Sequence, residues 1–220
     1  MTIQSHIDAL RKTIPSGVKL VAVSKFHPAE MIREAYDAGQ RIFGESRVQE
    51  LAAKKNRLPE DIEWHFIGNL QRNKVKHIAP FISLIHSLNN EPLLLEIERQ
   101  AAANNRVISC LLQIHIAEEE SKSGFSPNEC RRFLEEGKWK AFPHVRIAGV
   151  MGMATFTADE NQVRREFRQL KLLFDELKTA YFPDDPFFKE ISMGMTGDYR
   201  IAIEEGSVMI RIGTLIFGGR

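Results

Sequence analysis

Lys25 closes an otherwise apolar run, Leu20-Val21-Ala22-Val23, with only Ser24 between. A lysine at the end of a covered strand either stays inside or snorkels to solvent. If it stays inside, desolvation lowers the pKa of its amine and suits it to Schiff-base formation with an aldehyde. Arg211 raises a related question. It stands between Ile210 and Ile212, and a buried arginine requires a partner. The ring nitrogen or phosphate of a ligand would serve, and so would an internal carboxylate such as Glu45. Two segments carry anion-binding chemistry: Ser192-Met193-Gly194-Met195-Thr196-Gly197-Asp198 and Gly213-Thr214. Their glycines let backbone N–H groups approach a phosphate, and their hydroxyls add donors. The plainer reading is two turns with helix caps.

These residues sit at the ends of short apolar runs. Eight such runs are expected as strands: 18–24, 41–43, 63–67, 82–87, 107–115, 145–151, 189–193 and 208–212. Helical signals lie between them. Pro28 opens one pattern and Gly39 closes it. Ser46 with Gln49, and Thr157 with Glu160, read as capping boxes, and Ser126-Pro127-Asn128-Glu129 combines a cap, a first-turn proline and a box glutamate. Val163, Phe167, Leu170, Phe174, Leu177 and Tyr181 form one apolar stripe at helical period. A short helix is expected between Gly197 and Gly206.

Strands alternating with helices favour a parallel sheet, and runs apolar on both faces require one covered twice. Eight units in 220 residues fit a compact (β/α)₈ barrel, with an open doubly wound sheet as the alternative fold. Only eight residues follow the last strand, so the N-terminal pattern Ile3, Ile7, Leu10 is expected to cover the sheet where an eighth helix cannot. In a parallel barrel all strand C-terminal ends face one rim, where sites are kept. That rim collects Lys25, Gly44-Glu45-Ser46, Gly68-Asn69, His86-Ser87, His115, Met151-Gly152, Ser192 to Thr196, and Gly213-Thr214.

Composition excludes several classes. A formal net charge of +1 argues against a protein that grips nucleic acid through its global field. Hydrophobic residues at 43% and charged residues at 27% fit one globular domain, taken as 1–220. Neither a signal peptide nor a membrane span is read, so a cytoplasmic protein is expected. Cys110 and Cys130 show no metal or redox spacing and read as free thiols. No metal spacing is seen among the seven histidines; His65 and His86 read as packed barrel residues. Lys54-Lys55-Asn56-Arg57 reads as a solvated helix end, Lys74-Val75-Lys76-His77 as a weak basic patch, and Glu118-Glu119-Glu120 as an exposed loop.

Taken in order, the blocks Ala22-Val23-Ser24-Lys25, Phe43-Gly44-Glu45, Trp64-His65-Phe66-Ile67-Gly68, Leu70-Gln71, Asn73-Lys74, Ser121-Lys122 with Gly124, Gly149-Val150-Met151, Ser192-Met193-Gly194-Met195 and Arg211-Ile212-Gly213-Thr214 with Ile216-Phe217-Gly218 form a specific pattern. Over about Val18 to Gly218 the chain resembles the pyridoxal phosphate homeostasis proteins, small barrels similar to the N-terminal domain of alanine racemase. The resemblance implies pyridoxal 5′-phosphate (PLP) as the cofactor, with the Schiff-base lysine at Lys25. It implies phosphate-binding segments at Ser192, Gly194, Met195 and Thr196 and at Gly213 and Thr214, and an arginine facing the ring nitrogen at Arg211. Ser46 and Met151 complete the implied cofactor site. Ser46 stands where the family often has Asn, and Gln113-Ile114-His115 where it often has Gln-x-Asn, with His115 able to stack beside the ligand or hydrogen-bond it.

A cation beside the ring nitrogen disfavours its protonation and weakens the ring as an electron sink. None of Tyr36, Tyr181 and Tyr199 ends a strand, and the chain leaves no room for the β domain of a racemase. The implied role is therefore to hold PLP inside the cell rather than turn over amino acids. A monomer is implied, together with apo-enzymes that need the cofactor as recipients. The competing readings are an amino acid racemase and a barrel for another phosphorylated metabolite.

Overall fold

The computed structural model describes residues 2–119 and 123–219. Eight strands form a closed, wholly parallel barrel in sequence order: β1 (Lys19–Val23), β2 (Ile42–Glu45), β3 (Glu63–Phe66), β4 (Leu84–Leu88), β5 (Ile108–Ile114), β6 (Val145–Gly152), β7 (Glu190–Ser192) and β8 (Met209–Ile212). Closure is made by β1 against β8, with Lys19 opposite Met209 and Ala22 opposite Ile212. The open-sheet alternative is thereby excluded. Around the barrel lie α1 (Ile3–Thr13), α2 (Ala29–Asp37), α3 (Val48–Lys55), α4 (Glu91–Ala103), α5 (Pro127–Glu135), α6 (Glu160–Tyr181), α7 (Tyr199–Glu204) and α8 (Thr214–Phe217).

Two apolar cores result, because residues of a strand alternate between faces. The outer core packs strand residues such as Ala22, Phe43, Phe66 and Ile85 against the helices. The inner one fills the barrel with Val21, Leu84, Leu111, Ala148, Met151 and Met209. Ala148 and Met151 share the inner core although they are three apart. The register with β5 slips between Cys110 and Leu111, so that Ala148 is the extra residue. Gly149 absorbs the slip at φ +149°, and a Cβ there would lie 1.8 Å from the Glu190 carbonyl oxygen. Only glycine fits such a bulge against its neighbour.

α1 takes the place of a full eighth helix. Ile3, Ile7 and Leu10 are buried, the helix packs on α2 and α8, and His6 Nδ1 lies 2.9 Å from the Ile216 carbonyl oxygen. α6 buries Val163, Phe167, Leu170, Leu173, Phe174 and Leu177, while Tyr181 at the end of the stripe is only half buried. Its cap is Asp159, whose side chain accepts from the amides of Asn161 and Gln162. Thr157 is not the cap: its hydroxyl oxygen accepts from the Asp159 amide one turn earlier. Ser46 likewise caps nothing, since α3 starts after Arg47 without a side-chain cap. At α5 the capping box forms in full. Replacing Ser126 with alanine should lower stability by about 1 kcal/mol, read as a shifted denaturant midpoint at unchanged slope.

Among the described residues, no helix is long and apolar enough to cross a membrane. Cys110 and Cys130 are free and buried, and burial pushes both thiols up, Cys130 to about 12.

Candidate functional site

The chain after β1 turns sharply, and a buried ionic cluster holds the turn. Lys54 sits behind it with its three ammonium hydrogens committed: 2.8 Å to the Ser24 carbonyl oxygen, 2.7 Å to Glu45 Oε1 and 2.6 Å to Glu50 Oε1. The Ser24 hydroxyl donates to Glu45 Oε1 at 2.6 Å, and the Phe26 amide donates to Glu50 Oε1 at 2.6 Å. Phe26 is held at φ +69°, a conformation that costs a non-glycine residue free energy and needs such support. The clamp thus grips the backbone on both sides of Lys25. It also corrects the sequence expectation for Lys54, which is buried rather than solvated. The helix face that carries Leu51 inward carries Lys54 with it, toward a carboxylate waiting at the end of β2. Burial raises the pKa of Glu45, with Lys54 opposing, and its Oε2 has no partner among the described residues.

Lys25 itself lines a cavity of about 380 Å³ at the C-terminal mouth of the barrel, a size typical of small-molecule sites. Ser46, Met195, Thr196, Arg211, Gly213 and Thr214 line it too. Seven of the ten residues expected from sequence are therefore brought together. The other three stand behind the wall. Met151 faces inward but is buried in the inner core, and Met153, two residues on and on the same face, is the one that reaches the cavity. Ser192 is fully buried beneath Arg211. Gly194 is held at φ +95°, and its carbonyl oxygen accepts the Arg211 amide at 2.9 Å.

Arg211 points inward as alternation demands. Its Nη1 donates to Ser192 Oγ at 2.6 Å and its Nη2 to the Gly152 carbonyl oxygen at 3.1 Å. Burial lowers its pKa to about 10, with Asp198 opposing, so it remains a cation at neutral pH. Glu45 is not its partner, being engaged by Lys54 and Ser24 on the outer face of the barrel. Two of the five guanidinium N–H donors are thus used within the protein. Across the cavity the Thr196 and Thr214 hydroxyls approach to 3.4 Å. The first amides of α8 cannot be satisfied within that helix.

Sequence reasoning missed His27, Met153 and Phe156 as cavity residues and quoted Asp198 only as the end of the loop after β7. His27 stacks on Phe217 with ring centroids 4.9 Å apart. Asp198 Oδ1 accepts the Met195 amide at 2.6 Å, shaping the loop after β7. Phe156, on the loop after β6, is almost wholly exposed. The spacing of Asp198 to Met195 was a legible turn signal; the positions of His27, Met153 and Phe156 depend on how loops fold over the rim. His115 does not line the cavity. Its Nε2 is within 2.9 Å of the Glu119 carbonyl oxygen, and Gln113 donates to the Ser123 carbonyl oxygen. Ser121 and Lys122 lie outside the described residues.

An eight-stranded parallel barrel with a lysine, an inward arginine and two hydroxyl-bearing loops at its C-terminal mouth defines a class, and the comparisons agree on which. The alanine racemase N-terminal domain family matches residues 1–220. The chain belongs to that family and, within it, to the pyridoxal phosphate homeostasis proteins. A relative of that name from Aquifex aeolicus is 41% identical, covering 92% of this chain and 87% of its own length. One from Escherichia coli is 38% identical, covering 94% and 87%. The solved structure of PipY from Synechococcus elongatus with PLP bound superposes with a TM-score of 0.89 at 36% identity, covering 99% of this chain and all of that one. An alanine racemase from Clostridium difficile shares the fold, with a TM-score of 0.76 at 14% identity; the match covers all of this chain and 56% of the racemase.

Proposed function

We propose that this chain holds pyridoxal 5′-phosphate as a Schiff base on Lys25 and serves intracellular PLP homeostasis in the cytoplasm, as a monomer without substantial turnover. The observation that carries the reading is the convergence of Lys25, Arg211, Thr196 and Thr214 on one cavity. The donor set fits the group. An amine matches its aldehyde, a cation with spare N–H donors matches its ring nitrogen, and hydroxyls beside the first amides of α8, which that helix cannot itself satisfy, match its phosphate. When bound, PLP supplies an aldehyde that captures amines and a ring that can draw electrons from the captured group.

The residues of this chain favour holding over turnover. Arg211 stays cationic and would disfavour a proton on a ring nitrogen held beside it. Ser46, Met195 and Gly213 complete the wall, Ser192 and Gly194 act from behind it by holding Arg211, and Met151 packs in the inner core beneath. Among the described residues, the titratable side chains that line the cavity besides Lys25 and Arg211 are His27 and Asp198, and Asp198 is already engaged by Met195. No tyrosine lines it among the described residues.

The test is a titration of purified protein with PLP, followed in the visible range and completed by borohydride reduction. A Schiff-base band, fixed by reduction, with no conversion of L-alanine to D-alanine above the rate of free PLP, is the expected outcome. A colourless protein would sink the cofactor reading. Racemisation well above the free cofactor would sink the holding role and make the chain an enzyme.

A further inference from the structure

We propose that His86 is a positioning residue, setting through the Ser192 hydroxyl where the Arg211 guanidinium stands in the cavity, as the middle of a hydrogen-bonded chain that runs in one direction from Arg211 to His65. The part played by the cofactor in its test rests on the function proposed above; the chain itself does not.

The geometry is a line of four side chains inside the barrel. Arg211 Nη1 is 2.6 Å from Ser192 Oγ, Ser192 Oγ is 3.0 Å from His86 Nδ1, and His86 Nε2 is 3.0 Å from His65 Nδ1. All four are buried. His65 also lines a smaller cavity, about 170 Å³, at the opposite mouth with Lys19 and Glu190. The line therefore crosses the barrel interior from one mouth to the other.

Its direction follows from donor arithmetic. Arginine only donates, so Ser192 Oγ accepts at that end. The single hydroxyl proton of Ser192 then has His86 Nδ1 as its one remaining partner among the described residues. The reverse order, with His86 Nδ1–H donating to Ser192, would leave that proton without an acceptor in a fully buried place, which costs free energy. His86 therefore carries its proton on Nε2 and donates to His65 Nδ1, and His65 carries its proton on Nε2. Both rings must be neutral for this, and burial acts that way on both. His65 is lowered to about 3, and His86 is lowered well below its ordinary value by burial, with His65 and Arg211 adding to the effect. A protonated His86 would present a proton to Ser192 and a second charge to Arg211. The neutral chain leaves the arginine as the one cation of the line and fixes the hydroxyl rotor that receives it.

The experiment uses the full chain and two readouts. In the unliganded protein, ¹⁵N histidine NMR is expected to show His86 and His65 neutral and protonated at Nε2 from pH 5 to pH 8. The Arg211 Nη resonances are expected to be separately resolved, since a held guanidinium rotates slowly. In His86→Gln, which keeps an acceptor for Ser192 and a donor for His65, they stay resolved. In His86→Leu and in Ser192→Ala they average, and PLP affinity falls about tenfold with a moved absorbance maximum, while His86→Gln stays within about twofold. A His86 protonated at Nδ1 would overturn the direction. Resolved Arg211 signals and unchanged PLP binding in both His86→Leu and Ser192→Ala would overturn the positioning role. If the wild-type protein binds no PLP, the proposed function fails, and the NMR readouts still decide the chain. If His86→Leu does not fold, Ser192→Ala breaks the same link from the other side.

Discussion

Lys25→Ala is expected to lose the Schiff-base band completely and to carry no label after borohydride. Among the described residues that line the cavity, Lys25 supplies the one primary amine. The neighbouring cation cannot substitute, because a guanidinium is not deprotonated at working pH and is no nucleophile toward an aldehyde. The hydroxyls and loop amides proposed to hold the phosphate are untouched by the change. Residual binding of PLP is therefore expected, weak, reversible and with the spectrum of the free aldehyde. Peptide mapping of the reduced wild-type protein should place the label on Lys25. A label on another lysine, such as Lys122, or a band that survives in Lys25→Ala, would remove Lys25 from its role.

Lys54→Met should be the most costly single change outside the cavity. The substitution keeps the length and apolar stem but removes the charge that faces Glu45, which is fully buried. Breaking one side of a buried ion pair costs about 3–5 kcal/mol, which for a chain of this size lowers the melting temperature by roughly 10 °C. The loss should depend on pH in a defined direction. Glu45 is already raised by burial, and without Lys54 it is raised further. A carboxyl raised in the folded state favours folding below its unfolded value, near 4.5, and that contribution is lost as pH rises through the folded value. The gap between variant and wild type should therefore be widest at neutral pH and narrow on acidification toward 5. Thermal melts of both proteins across that range measure it. A gap that widened on acidification would mean that Glu45 is not the group left stranded. Because the same cluster holds the Ser24 carbonyl and the Phe26 amide, the variant should also bind PLP more weakly than its stability at the assay temperature explains.

Much of this could be read along the chain, and the reasons are local. Short apolar runs ended by polar or glycine residues mark doubly covered strands, so all eight strands and the rim they share were legible. Ser126 with Glu129 is a local device whose partners are three residues apart, and it forms as written. Lys25 and Arg211 stood out because each interrupts an apolar context that a charged side chain would avoid without a purpose.

Distance along the chain is what hid the rest. Lys54 looked like solvent-facing charge because its partners, Glu45 and the Ser24 carbonyl, lie 9 and 30 residues away. Met151 and Met153 both face inward, because one inserted residue at Ala148–Gly149 shifts the alternation; which of the two reaches the cavity is a matter of depth along the barrel, visible only once the ring is closed. Arg211 needs a partner, and the alternatives legible along the chain are a ligand or a carboxylate such as Glu45; the Ser192 hydroxyl that meets it is supplied by barrel closure. Closure put Glu45 on the outer face and Ser192, 19 residues from Arg211, on the inner one. Residue types and their local order thus settled which chemistry the rim could carry. Which side chains meet there was settled by closing the ring, since closure assigns each residue its face and brings together groups from opposite ends of the chain.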